Sequence, residues 1–263
     1  MHRIKGAALV TGAGRRLGRA MAVALAEDGL NVVVHYVGSR EEAEETADAA
    51  RAFGVRAETV KADLLHRDQV EALVPAAIDA IGEPLGVLIN NASIFEHDTV
   101  QTATTTSWDR HIASNLEAPF FLTQAFAKQV QGGATDASGE PIASACVVNM
   151  IDQRARKLTP EFATYTIAKM GLWAFTQTAA QGLAPDIRVN GIGPGPTLQG
   201  DRQTERHFAD QRSNTILKRG SNVEDIVGAL RFILNSHGLT GQLLCMDGGQ
   251  HLGWKTPDVM GVE

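Results

Sequence analysis

A run of four apolar residues, Ala7-Ala8-Leu9-Val10, opens directly into Thr11-Gly12-Ala13-Gly14-Arg15-Arg16-Leu17-Gly18-Arg19. A helical stretch, 20–28, follows and stops at Gly29. Strand, glycine-rich turn and helix in that order leave little choice of fold. Glycines let the backbone come close to a ligand, and the helix start offers N–H groups with no intrahelical partner, so the unit is built to receive a phosphate. The alternation continues along the chain. Further strands are expected at 31–36, 55–62, 85–89, 145–151, 187–192 and 242–246, and helices at 41–53, 67–81, 108–131, 160–184 and 222–235. With no break in composition, this predicts one α/β domain over 1–263: a doubly wound parallel sheet with helices on both faces. Residues 132–141 are polar and turn-rich and read as a surface loop. Residues 198–217 are charged and follow a Pro/Gly stretch, which makes them a candidate mobile lid over a pocket.

At 263 residues and 44% hydrophobic, the chain can bury a full core. A net charge of −6 without a basic tract argues against nucleic acid as a partner. No apolar run has membrane length, and the N-terminus lacks the pattern of a signal peptide. Cys146 and Cys245 lie in strand-like segments and are expected as free thiols, which suits the cytoplasm. No Cys/His cluster has zinc spacing, so no metal is expected.

The chemistry concentrates in 147–169, VVNMIDQRARKLTPEFATYTIAK. Asp152 follows an apolar strand. Tyr165 comes thirteen residues later, and Lys169 one helical turn beyond it. Tyr and Lys at i and i+4 share a helix face. An ammonium there is expected to lower the phenol pKa from ~10 and make the hydroxyl a usable general acid or base. Asp152, at the strand's end, is expected to face the same pocket. After the second strand no carboxylate stands ready for a ribose hydroxyl; His35, Ser39 and Arg40 follow instead, with Arg15 in the glycine turn. Cations and a hydroxyl suit a 2′-phosphate and point to NADPH.

These residues, with Asp63, Asn90-Asn91-Ala92, Asn115, Pro194-Gly195 and Asp247-Gly248-Gly249, resemble in order and spacing the short-chain dehydrogenase/reductase family over 7–249. The resemblance implies a Rossmann-type domain in which Tyr165 moves the substrate proton. Lys169 would bind the nicotinamide ribose, and Asn115 would hold a relay water. It adds Gly12, Leu17, Tyr36, Leu64, Asn91, Ala92 and Thr197 to the expected cofactor contacts, with Asp63, Pro194, Gly195, Tyr165 and Lys169. It also implies a homotetramer packed through 108–131 and 160–184.

Three positions depart from the family's habit: Arg16 and Ser93 stand where glycine is usual, and Asp152 where serine is usual. A carboxylate donates no hydrogen bond unless protonated and repels a developing alkoxide. It suits a substrate with N–H groups or a ring nitrogen to be protonated. TGAGRRLG at 11–18, NNASIF at 90–95, NMID at 149–152 and RVNGIGPG at 188–195 are similar to segments of the pteridine reductases within the family. That likeness implies a pterin stacked on Phe95, with Arg16 and Ser93 reaching pterin and cofactor. Asp152 and Tyr165 would together protonate a ring nitrogen. The dihydromonapterin reductases share the Asp–Tyr pairing, so the kind of pterin stays open. The alternatives are a family reductase of a ketone, sugar or 3-oxoacyl thioester, and a non-catalytic dinucleotide sensor. The second would have no need of an intact Tyr165, Lys169 and Asn115.

Overall fold

The computed structural model describes residues 4–200, 203–254 and 256. Seven parallel strands form one sheet: β1 (Ala7–Val10), β2 (Val32–Tyr36), β3 (Ala57–Lys61), β4 (Leu85–Asn90), β7 (Ala145–Met150), β8 (Ile187–Pro194) and β9 (Leu243–Met246). Their spatial order is β3-β2-β1-β4-β7-β8-β9. The order reverses between β1 and β4, and the crevice at the carboxyl ends of such a pair is where doubly wound sheets take ligands. The five inner strands are buried along nearly their whole length because both faces are covered, whereas the edge strand β3, AETVK, is half-exposed. Ala8 and Val10 point to helices α1 (Arg16–Glu27), α2 (Arg40–Arg51) and α8 (Val223–Asn235). Ala7 and Leu9 point to α3 (Arg67–Ile81), α5 (Ala118–Gln129) and α6 (Ala163–Gly182).

Two expectations change, and a third gains detail. The single helix over 108–131 is two helices, α4 (Thr105–Ile112) and α5, joined by a π turn at Ala113–Glu117. One residue of slack in a helix re-aims the side chains around it, and such turns gather at functional sites; here the turn carries Asn115. The loop over 132–141 folds on itself through a short antiparallel pair, β5 (Ala134–Thr135) and β6 (Pro141–Ile142). The lid over 198–217 carries a helix, α7 (Glu205–Ser213), and is tied at its far end by Arg212. That guanidinium donates to the carbonyls of Pro196, Gly220 and Ser221 and to Asn222 Oδ1. Residues 201 and 202, part of that expectation, lie outside the described residues. No helix among the described residues is long and apolar enough to cross a membrane.

Candidate active site

The glycine turn after β1 borders a cleft of about 500 Å³ that also meets the ends of β2, β4 and β8. Gly12 has φ +60, and a side chain there would meet the Ala92 backbone at 3.0 Å, so turn and β4 loop touch through the glycine. Asn91 holds the two together, its Nδ2 donating to the carbonyls of Thr11 and Gly12. Thr11 Oγ1 accepts from the N–H groups of Asn91 and Ala92 and donates to Ile89 O. Its place directly before the first glycine was the only trace of this role in the sequence. Among the expected cofactor residues, Gly12, Arg15, Arg16, Leu17, Tyr36, Ser39, Asn91, Ala92, Ser93, Pro194, Gly195 and Thr197 line the cleft. No side chain caps the α1 N-terminus, so its first-turn N–H groups fit a pyrophosphate.

The other expected cofactor residues are placed differently. His35 is buried, with Nδ1 accepting from Gly12 N–H at 3.0 Å and Nε2 at 2.9 Å from Ala62 O. Those partners fix the tautomer with its proton on Nε2. Burial lowers its pKa to about 4, so it is a neutral brace for the turn and not a cation for a phosphate. Leu64 belongs to the core on the α3 side. Asp63 turns to the Leu65 N–H and to His66. Arg40 is exposed at the start of α2 and does not line the cleft. Thr197 lines the cleft, but its hydroxyl bonds inward to Gly195 O and Ser221 Oγ. Glu42, expected in a solvated first turn, instead lines the cleft beside Ser39, with a buried Oε2 that has no hydrogen-bond partner among the described residues.

At the other end of the site, β7 delivers Asp152 and α6 delivers Tyr165 and Lys169. Asp152 does two jobs. Its Oδ1 caps a short 3-10 turn by accepting from Arg154 N–H at 2.7 Å, and its Oδ2 accepts from the Tyr165 hydroxyl at 2.9 Å. Burial raises the Asp152 pKa, against the opposing pull of the Arg154 N–H, the Tyr165 hydroxyl and the nearby Arg154 and Lys169 charges. Tyr165 corrects the sequence reading. Burial first, and then the Asp152 carboxylate, push its phenol well above the usual value; the Arg154 charge and the Ser93 hydroxyl oppose them. Lys169 Nζ donates one of its bonds to Met150 O at 2.7 Å, and burial takes its own pKa down to about 8. Tyr165 is therefore a protonated acid, and Lys169 does not make it a phenolate.

Asn115 sits in the π turn. Its side chain forms a closed pair with the main chain of Ile94: Nδ2 donates to the carbonyl at 2.8 Å and Oδ1 accepts the N–H at 2.9 Å. It thereby holds the loop bearing Ser93 and Phe95 against the π turn. Asn90 points into the core, its Nδ2 on Asn149 Oδ1 at 2.8 Å. The start of α6 is pinned by Asp98, whose carbonyl accepts the Phe162 N–H and whose carboxylate takes the N–H and hydroxyl of Thr164. Phe95 meets the Tyr165 ring edge-on at 4.7 Å and stacks on Phe162 at 4.3 Å. Phe162 was missed from sequence, although it stands three residues before Tyr165, close to one helical turn away.

The alternative dihydrofolate reductase 1 (FolM) from Brucella suis, solved in complex with NADP, superposes with a TM-score of 0.89 at 40% identity, covering 98% of this chain and 100% of that one. The Brucella canis protein of the same name, also with NADP, gives 0.88 and 39%, covering 98% and 99%. Among curated proteins, the 3-oxoacyl-[acyl-carrier-protein] reductase of Staphylococcus aureus is 31% identical over 250 residues, 93% of this chain and 98% of that protein. Residues 6–209 match the family described as short chain dehydrogenase, and this chain belongs to that family of oxidoreductases.

Proposed function

We propose that the protein is an NADPH-dependent reductase of a pterin or dihydropterin. The observation that carries this reading is the hydrogen bond from the Tyr165 hydroxyl to Asp152 Oδ2 at 2.9 Å. A carboxylate with a raised pKa beside a phenol that keeps its proton forms a reservoir of protons for a ring nitrogen. A carbonyl substrate would need a neutral donor where this carboxylate stands. NADPH, when bound, supplies the hydride; the chain's own residues hold the ring and deliver the proton. Asn115 and Ile94 fix the loop that presents Phe95, and Lys169 props the end of β7 through Met150 O. The kinship with the Brucella proteins, named as dihydrofolate reductases and solved with NADP, supports both substrate class and cofactor.

Arg15 and Ser39 line the adenosine end and can meet a 2′-phosphate; Glu42 opposes it there. A second reading, reduction of a 3-oxoacyl thioester, has the Staphylococcus relative in its favour. One assay separates them: NADPH oxidation with dihydrobiopterin, dihydromonapterin and dihydrofolate, beside a 3-oxoacyl thioester and a panel of ketones and sugars. Turnover confined to the carbonyl compounds would refute the pterin reading. With the preferred substrate, kcat/KM is expected to be higher for NADPH than for NADH. Equal values would return the adenosine end to NAD, with Glu42 as the ribose acceptor.

A further inference from the structure

From Tyr165, successive ring contacts lead through Phe95 and Phe162 to Arg154. Phe95 touches the Tyr165 ring edge-on, and Phe162 lies parallel to Phe95, with 9° between the planes. The Arg154 guanidinium stands 4.8 Å from the centre of the Phe162 ring. Phe162 is held there at some strain. It is a bulky residue with φ 58, a region that favours glycine, kept in place by its N–H bond to Asp98 O at 2.7 Å. Arg154 is half-buried, yet no ion pair among the described residues includes it. Glu161, the acid on the same loop, turns to His97. Asp152 gives its Oδ1 to the Arg154 backbone N–H, not to the guanidinium. Among the described residues the guanidinium donates one bond, to Thr159 Oγ1 at 2.5 Å. A guanidinium carries five N–H donors in a planar fork that matches a carboxylate. A partly desolvated fork, steadied on one side and beyond an aromatic pair next to the reacting phenol, is placed to take a substrate anion.

We infer that Arg154 binds a carboxylate at the end of the substrate's side chain, beyond the Phe95–Phe162 pair, and so selects a reduced pterin with an acidic tail over one with a neutral side chain. The inference rests on the pterin reading above. A purely electrostatic role for Arg154, steadying Asp152 and Tyr165, would make no distinction between tails.

The test compares dihydrofolate, whose tail is anionic, with dihydrobiopterin, whose side chain is uncharged, in the full-length enzyme with NADPH. In Arg154→Met the KM for dihydrofolate is expected to rise about ten- to a hundredfold more than that for dihydrobiopterin, as for loss of a charge-assisted hydrogen bond. Any change common to both substrates reports the Arg154 charge on Asp152 and Tyr165, and Arg154→Lys recovers part of the dihydrofolate-specific loss. In the wild type, added NaCl should raise the KM for dihydrofolate and leave that for dihydrobiopterin flat. An Arg154→Met effect that falls equally on both substrates, or on neither, overturns the inference alone. So does a wild-type KM for dihydrofolate that ignores salt. A wild type that turns over dihydromonapterin but neither of these overturns the inference alone; one that turns over none of the three removes the pterin reading and this inference with it.

Discussion

Asp152 shows how much one side chain can decide. As a cap for the turn at Gln153–Ala155 it would be unremarked, and a serine would cap as well. The second oxygen makes the difference, because it accepts the Tyr165 hydroxyl and adds to the burial that keeps that phenol protonated. Asp152→Ser keeps the cap and removes the charge. Pterin turnover should fall by ~10²–10⁴, the usual contribution of a general acid. NADPH affinity, followed by the quenching of protein fluorescence, should barely move, since Asp152 does not line the dinucleotide cleft. Undiminished turnover in the variant would take the proton-delivery role from Asp152.

At the scale of elements, the glycine turn and the segment after β8 are joined by Arg16. It opens α1 with φ 55, where glycine adopts the backbone freely and other residues are strained. The same residue reaches across the cleft mouth: its guanidinium donates to Gln199 O at 2.9 Å and to Leu198 O at 3.3 Å. The sequence marked Arg16 as a departure; the left-handed backbone beneath it could not be read, because the tether that holds it lies about 180 residues away. In Arg16→Gly the two roles separate. Relief of strain, ~1 kcal/mol, should offset the loss of two exposed hydrogen bonds, so the urea midpoint stays level or rises. Released from the turn, 198–217 should be cut faster by protease under native conditions, and the KM for the pterin should rise. A less stable variant with an unchanged cleavage rate would show that the contact stabilises the fold without restraining the segment.

Across the whole molecule, legibility followed burial. The five inner strands were readable because each is covered on both faces and so largely apolar; the edge strand β3, AETVK, is half-exposed and was readable only from its place in the alternation. The break in 108–131 was not, because composition does not change where the helix widens at Ala113–Glu117. Positions of Asp152, Tyr165 and Lys169 followed from spacing along one strand and one helix. The direction of Lys169 Nζ did not, since Met150 O lies on another element. That direction has a global consequence. The unfolded chain holds the Lys169 proton to about 10.5, whereas burial in the fold releases it at about 8, with Asp152 as the opposing charge. Below the lower value both states are protonated, and the burden of a buried cation is fully present and constant. Between the two values the unfolded state binds the extra proton, so this group's contribution to stability climbs with pH, by up to about 1.4 kcal/mol per unit. Lys169→Met removes the titration and keeps an unbranched chain of similar length. Urea unfolding of wild type and variant without cofactor, from pH ~7 to ~10, should give a difference that is flat at first and then moves in favour of the wild type above about 8. Subtraction limits the part played by Tyr165 and Asp152, which titrate in both proteins. A difference that stayed flat to the top of the range would mean that Lys169 keeps its proton in the fold. The ammonium would then remain available to charge the site at every pH where the protein stands folded.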